Sequence, residues 1–215
     1  QGGGDMGAIP NRLPGFQDIR DPAIRERIGK LWGVTLKPDY GLNMTEMFEA
    51  MHEKKLKGLY VIGENPAQSE ADQHLALECL DGLDLLVVQD IFLTRTAQMA
   101  DVVFPASSSW CESEGTVTNS ERRVQRVRKA LAPPGDARHD MWIIAQLAKR
   151  RGHDWGTPAG EAVWGEVRAV APAMFGGMTY ARLEEHHGLQ WPCPDSSSDG
   201  AQFLHARLWD SPMTT

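Results

Sequence analysis

Residues 58–105 read GLYVIGENPAQSEADQHLALECLDGLDLLVVQDIFLTRTAQMADVVFP, and this stretch decides the fold. It contains three short apolar runs, at residues 58–62, 84–90 and 102–104, separated by segments of helical composition. Strands that are apolar on both faces and alternate with helices are typical of a parallel sheet covered by helices. We therefore predict the α/β fold class: a doubly wound, mainly parallel sheet with helices on both faces.

Helical patterns also occur before and after this stretch. Asp21-Pro22 has the residue types of an N-cap and a first helical position, and Ser69 is expected to cap the helix after the first strand. The predicted helices cover residues 22–31, 44–55, 69–83, 94–100, 139–151 and 160–170.

The predicted elements suggest one main domain. We expect a Rossmann-like dinucleotide-binding domain over residues 1–190, with its sheet core at about 56–130. The Pro-, Ser- and Gly-rich residues 191–215 have the composition of an irregular connector, which we expect to lead toward a C-terminal domain outside this chain.

Composition argues against several classes of protein. The 215 residues include 22 basic and 29 acidic side chains, and the net charge of −7 argues against general binding to nucleic acid or anionic membranes. No apolar run approaches the roughly 20 residues that span a bilayer. The cysteines, Cys79, Cys111 and Cys193, form no CxxC pair, so we expect no iron–sulfur cluster held by this segment alone, and a reduced, cytoplasmic setting. The basic run Arg122–Lys129 is expected to be solvated or to face a partner chain.

Polar residues follow each of the three predicted strands. They are Gly63-Glu64-Asn65-Pro66, Gln89-Asp90-Ile91 and Pro105-Ala106-Ser107. Ligands of open α/β sheets bind outside the carboxyl ends of the strands, where a carboxylate can accept from both hydroxyls of a ribose or from two N–H groups of guanine. Each segment alone has a simpler interpretation, because the first is a common turn and Asp90 could cap the helix near Thr94. Together they favour a nucleotide-like ligand.

Other sites receive little support from the sequence. The GxxxxGK[ST] motif of a Walker A loop is absent, and the spacing GxGxxG occurs only at residues 2–7, which no predicted strand precedes, so an NAD fingerprint is not indicated. The serines at 107–109 lack the G-x-S-x-G context of a hydrolase nucleophile. The adjacent His186 and His187 point apart on a helix and do not indicate a metal site.

Four motifs of this chain form a longer pattern. They are GENP at 63–66, VQDIFLTRTA at 88–97, ADVVFPA at 100–106 and EGTVTNSERRVQ at 114–125. The pattern resembles the molybdenum/tungsten bis-molybdopterin guanine dinucleotide oxidoreductases, whose corresponding last motif is E-G-x-x-x-N-x-E-R-R-x-Q. Within that family, residues 1–10 resemble the catalytic (alpha) subunit of formate dehydrogenases, of which this chain would be an interior, cofactor-binding fragment.

The resemblance implies which residues bind the dinucleotide. Asp140 matches a position that commonly reaches the guanine, and Gln1 would lie near the pterin and the metal. The other implied contacts follow the first two strands and are Gly63, Glu64, Asn65, Gln89, Asp90, Ile91 and Thr94. No catalytic residue and no metal ligand is expected within the chain itself.

The resemblance also implies a function for the parent enzyme. It would oxidise formate to CO₂ with molybdopterin guanine dinucleotide carrying Mo or W, and pass electrons to iron–sulfur clusters. The 4Fe–4S cluster would be held outside this chain, and the partners would be the remaining domains of the catalytic subunit and electron-transfer subunits. The isolated chain would be inactive. Two alternatives are a related molybdenum enzyme such as a nitrate reductase, and a non-catalytic relative of the large subunit of complex I.

Overall fold

The computed structural model describes residues 1–108 and 112–205, and it contains short strands interspersed with helices. In chain order the elements are α1 (Gly2–Asp5), β1 (Arg12–Leu13), β2 (Gln17–Asp18), α2 (Pro22–Trp32), α3 (Met44–His52), β3 (Gly58–Ile62), α4 (Pro66–Ser69), α5 (Gln73–Asp81), β4 (Leu85–Asp90), α6 (Arg95–Met99), β5 (Val102–Pro105), β6 (Gly115–Thr118), β7 (Arg123–Val127), α7 (Asp140–Arg150), α8 (Gly160–Val170), α9 (Pro172–Phe175), α10 (Tyr180–Glu185) and β8 (Leu189–Gln190). No helix within the described ranges has both the length and the apolar character needed to cross a membrane.

The chain groups into two compact units. Unit 1 comprises residues 1–41, 114–127 and those from Pro158 onward, and unit 2 comprises residues 42–113 and 128–157. The predicted boundary near residue 190 stays a prediction, and residues 206–215 of the predicted connector lie outside the described residues.

Unit 2 contains the parallel sheet that the sequence predicts. Its strand order is β3-β4-β5, and both pairings are parallel. Residues of β4 alternate in burial, since Leu86 and Val88 are buried whereas Leu85 is exposed. Leu86 and Val88 belong to a core that α3 and α5 share with the sheet. Helices flank the parallel sheet, which confirms the predicted α/β fold class.

The predicted start of one helix in unit 2 is wrong. Ser69 ends the short helix α4 and does not cap a long one. The following helix, α5, is capped by Asp72, whose carboxylate accepts a hydrogen bond of 3.0 Å from the backbone N–H of Leu75. An aspartate at the N-cap satisfies one of the donors that a helix start leaves unpaired, as a serine would, so residue type alone does not choose between Ser69 and Asp72.

Unit 1 is built around a small antiparallel sheet of order β6-β7-β8. Its core includes Met174, Phe175, Met178 and Leu183, which are all fully buried or nearly so. The helix α2 begins where the sequence predicts, because Asp21 accepts a hydrogen bond of 2.8 Å from the N–H of Ala23.

Two arginines of the basic run, Arg122 and Arg126, contact groups of unit 1, whereas Arg128 and Lys129 at its end are exposed as expected. The guanidinium of Arg126 lies 3.3 Å from the ring centre of Tyr180 and pairs with Glu114 at 2.6 Å and Glu184 at 3.2 Å. Arg122 donates to the backbone carbonyls of Trp191 and Ala201. Both side chains are therefore used inside unit 1, where the fork of the guanidinium reaches several acceptors at once.

We predict that Leu86→Ala destabilises the protein strongly, because it opens a cavity in the core beneath the parallel sheet. The expected loss is about 2–5 kcal/mol of unfolding free energy. Leu85→Ala is the matched control. Leu85 is the exposed neighbour of Leu86, so this variant should lose less than about 1 kcal/mol of unfolding free energy. Urea denaturation of both variants would measure this, and equal losses would contradict the core assigned to this face of the sheet.

Candidate functional site

A cleft lies at the carboxyl ends of β3, β4 and β5, and its volume is about 450 Å³. Its lining contains every predicted ligand residue except Gln1. The lining residues are Ile62, Gly63, Glu64, Asn65, Gln89, Asp90, Ile91, Phe92, Thr94, Ala106, Ser107, Ser108 and Asp140. The residues that follow the three strands therefore meet around one cavity, as the parallel arrangement requires.

Gly63 turns the chain away from the sheet at the end of β3. Its φ of +63° lies in the left-handed region, and its N–H donates to the carbonyl of Gln89 at 2.9 Å. A side chain added at this position would meet no atom within 4 Å, so the backbone angle and not crowding favours glycine. The turn directs Glu64 and Asn65 into the cleft lining.

The side chain of Asn65 anchors the first loop to the start of α6. Its Oδ1 accepts hydrogen bonds from the Thr96 hydroxyl at 2.8 Å and from the Thr96 N–H at 3.1 Å. The same hydroxyl accepts from the N–H of Ala67 at 3.1 Å. The side-chain oxygen of Asn65, which the sequence suggests as an acceptor for the ligand, is thus bonded within the protein. Sequence reasoning missed its partner Thr96, which is fully buried.

Asp90 holds a tight turn and keeps one carboxylate oxygen free. Its Oδ1 accepts from the N–H of Phe92 at 3.0 Å, and Oδ2 has no hydrogen-bond partner among the described residues. The helix α6 is capped by Thr94, whose hydroxyl accepts from the N–H of Ala97 at 3.1 Å. Asp90 is therefore not the cap of this helix, in contrast to its simpler interpretation.

A hydrogen-bonded chain runs from β3 through β4 to α7. The Tyr60 hydroxyl donates to Oε1 of Gln89, and Nε2 of Gln89 donates to Oδ1 of Asp140 at 2.5 Å. Gln89 is fully buried, and burial together with the charge of Asp140 raises the pKa of Tyr60. Tyr60 therefore stays a protonated phenol at neutral pH.

The cleft presents acceptors and hydroxyls. The described lining residues include the carboxylates Glu64, Asp90 and Asp140 and no lysine or arginine. The buried hydroxyl of Ser107 has no hydrogen-bond partner among the described residues. No group of described residues has the composition of a metal site. The arrangement suits a ligand with N–H or O–H donors, because ionised carboxylates only accept hydrogen bonds. Ser109 and Trp110, which follow this segment, lie outside the described residues.

Gln1 belongs to unit 1, where its side chain meets a buried carboxylate. Its Nε2 donates to Oδ1 of Asp5 at 2.8 Å, and the indole N–H of Trp191 donates to Oδ2 at 2.8 Å. Burial raises the pKa of Asp5, and the two hydrogen bonds oppose that shift. Sequence reasoning missed Asp5, because an aspartate in a Gly-rich segment resembles an ordinary turn residue.

We predict that Thr96→Val loosens the loop at 63–67, since it removes the hydroxyl that joins Asn65 to Ala67. Leaving the buried N–H of Ala67 unpaired should cost about 1–3 kcal/mol of unfolding free energy. Thr96→Ser keeps the hydroxyl and should retain most of the stability. Urea denaturation and hydrogen exchange at the Ala67 amide would test this, and wild-type exchange in Thr96→Val would refute the anchoring role.

Comparisons with known proteins identify the family of this chain. The family described as Molybdopterin oxidoreductase matches residues 6–150. The F420-dependent formate dehydrogenase subunit alpha of Methanocaldococcus jannaschii is 44% identical over 207 residues, which cover 95% of this chain and 30% of that protein. Formate dehydrogenase H of Escherichia coli is 37% identical over 215 residues, which cover 99% of this chain and again 30% of the relative.

Among solved structures, the acetylene hydratase from Pelobacter acetylenicus shares the fold. Its TM-score is 0.55 at 24% identity, and the match covers 80% of this chain and 24% of that chain. This chain spans about 30% of the length of the two formate dehydrogenases. The match over residues 6–150 confirms the resemblance carried by the four sequence motifs, and the chain belongs to the molybdopterin oxidoreductase family.

Proposed function

We propose that this chain holds the guanine nucleotide end of molybdopterin guanine dinucleotide within a longer formate dehydrogenase catalytic subunit. The observation that carries the proposal is the pair of cleft carboxylates, Asp90 and Asp140. Each has one oxygen that accepts from the protein and a second oxygen without a partner among the described residues. The second oxygen can accept a hydrogen bond from a ligand while the first keeps its hydrogen bond to the protein.

The donor pattern of guanine matches these carboxylates. Guanine presents N1–H and its 2-amino group side by side, and a carboxylate accepts both in a paired arrangement. The two hydroxyls of a ribose form a similar pair of donors. One of the two aspartates would take the base and the other the ribose, with Thr94 and Glu64 as further polar groups of the lining.

The residues present fit a group of this kind. The hydroxyl of Ser107 is buried and lacks a partner in the described part of the chain, so a ligand would supply one. The open space at Gly63 would let a ligand approach the backbone there. The cleft volume of about 450 Å³ falls within the range of cofactor sites in proteins, roughly 300–1,000 Å³.

Gln1 would serve the pterin end of the cofactor. Nε2 of Gln1 donates to the buried carboxylate of Asp5, and Trp191 in turn donates to that carboxylate. These two hydrogen bonds fix the orientation of the Gln1 amide. The carbonyl oxygen Oε1 has no partner among the described residues and would be the atom available to the cofactor.

The identities of the relatives support formate oxidation by the parent subunit. When bound, the cofactor would supply the two-electron redox chemistry that converts formate to CO₂. The residues of this chain would bind and orient it, while the remaining domains would hold the metal ligand and the 4Fe–4S cluster. The choice of Mo or W, the electron-transfer partners and a cytoplasmic location stay predictions. The names of these relatives favour formate oxidation over nitrate reduction, and the polar cleft favours a cofactor-binding protein over a non-catalytic relative.

We predict that Asp90→Ala lowers cofactor occupancy of the full-length subunit about 10- to 100-fold, since a charge-assisted hydrogen bond contributes about 1.5–3 kcal/mol. Asp90→Asn keeps an acceptor for the Phe92 N–H but loses the charge, so it should bind less cofactor than wild type and fold normally. The measurement is GMP released by acid, and Mo or W, per mole of protein.

Asp84→Ala is the matched control, because Asp84 precedes β4 at the opposite end and its side chain is exposed. It should retain full occupancy. If Asp90→Ala kept wild-type cofactor occupancy, Asp90 would only form the turn with Phe92, and the main support for the proposed site would be lost.

A further inference from the structure

The buried amide of Gln89 has only one orientation that satisfies its neighbours. Ionised Asp140 can only accept hydrogen bonds, so the NH₂ end of Gln89 must face it. The carbonyl end then faces Tyr60, whose hydroxyl must act as the donor. Chemistry alone therefore fixes both the amide and the phenol, and the chain of hydrogen bonds runs in one direction toward Asp140.

The sheet fixes the backbone of both residues. Gln89 pairs with Ile62 on one side and with Phe104 on the other, in the middle of three parallel strands. The ring of Tyr60 meets the ring of Phe104 edge-on at 6.4 Å between centroids. A side chain whose two ends are both bonded and whose backbone lies in a sheet has little freedom to reorient.

Asp140 receives this chain at the start of a helix. It is the first residue of α7, which is 11 residues long, and it is half-buried at the cleft. The bond from Gln89 engages Oδ1, so rotation of the carboxylate would break it. Oδ2 is thereby held in one direction, and it is the oxygen without a partner among the described residues.

We propose that Gln89 and Tyr60 are positioning residues that orient the carboxylate of Asp140 toward the nucleotide, and that Gln89 is not itself a ligand contact. The proposal rests on the proposed function, because it assigns how the guanine of the same site is recognised, with Asp140 taking the base and Asp90 the ribose. It revises the role that the family resemblance implies for Gln89. It also adds Tyr60, which lies outside the lining of the cleft.

The test uses the full-length subunit prepared without cofactor, with GDP as the probe and ADP as the reference nucleotide. Tyr60→Phe should weaken GDP binding about 3- to 10-fold, and Gln89→Leu about 10-fold or more, since each breaks the chain that orders Asp140. ADP binding should change less than 2-fold. Tyr40→Phe is the matched control, because the Tyr40 hydroxyl bonds to Asp18 in unit 1, and it should bind GDP as wild type does.

A double-mutant cycle separates positioning from a general structural role. In an Asp140→Asn background, Tyr60→Phe should weaken GDP binding by less than about 2-fold further, because the group that Tyr60 positions is already changed. A loss as large as in the wild-type background, or wild-type GDP affinity in Tyr60→Phe, would overturn the proposal.

A ligand-free measurement keeps the result independent of the proposed function. Burial first, and then the charge of Asp140, raises the pKa of Tyr60, so Asp140→Asn should lower it. The pKa is obtained from the phenolate absorbance difference between each protein and its Tyr60→Phe counterpart. Absence of GDP binding in wild type would refute the nucleotide site, whereas an unchanged Tyr60 pKa in Asp140→Asn would refute the positioning chain.

Discussion

The candidate site depends on the parallel register of β3, β4 and β5. Gln89 pairs with Ile62 and with Phe104, so the three strands end at the same edge of the sheet and their following loops enclose one cleft. The register is set by burial, because Leu86 and Val88 must face the core and a shift by one residue would expose them. Hydrophobic packing on one side of the sheet therefore decides where the polar groups of the cleft lie.

The polar residues of the cleft fall into two groups with different tasks. Asn65 and Gln89 have their acceptor atoms bonded within the protein, and they hold a loop and a carboxylate in place. Asp90 and Asp140 each use one oxygen for the protein and leave one oxygen without a partner among the described residues. A buried amide in an apolar strand is costly unless both of its ends are satisfied, so its presence at Gln89 indicates a role beyond packing.

The sequence predicts the parallel strands and four longer helices because their signals are local. Apolar runs mark β3, β4 and β5, and caps such as Asp21 mark helix starts. Contacts between distant residues leave no such signal. Thr96 resembles a residue of an ordinary short helix, and Tyr60 resembles a packing residue of a strand. The contacts of Arg126 with Glu114, Tyr180 and Glu184 are likewise not identifiable from spacing, so the sequence indicates a surface position for this arginine.

The division of unit 1 among three parts of the chain affects the order in which the protein can fold. The strands of the parallel sheet are all synthesised by residue 105, whereas Oδ2 of Asp5 receives its hydrogen bond only from Trp191, 186 residues later. The entropy of closing a loop grows only with the logarithm of its length, but folding rates fall steeply as contacts become less local. The long separation therefore delays the completion of unit 1 far more than it weakens the finished structure, and until then the Asp5 carboxylate remains hydrated.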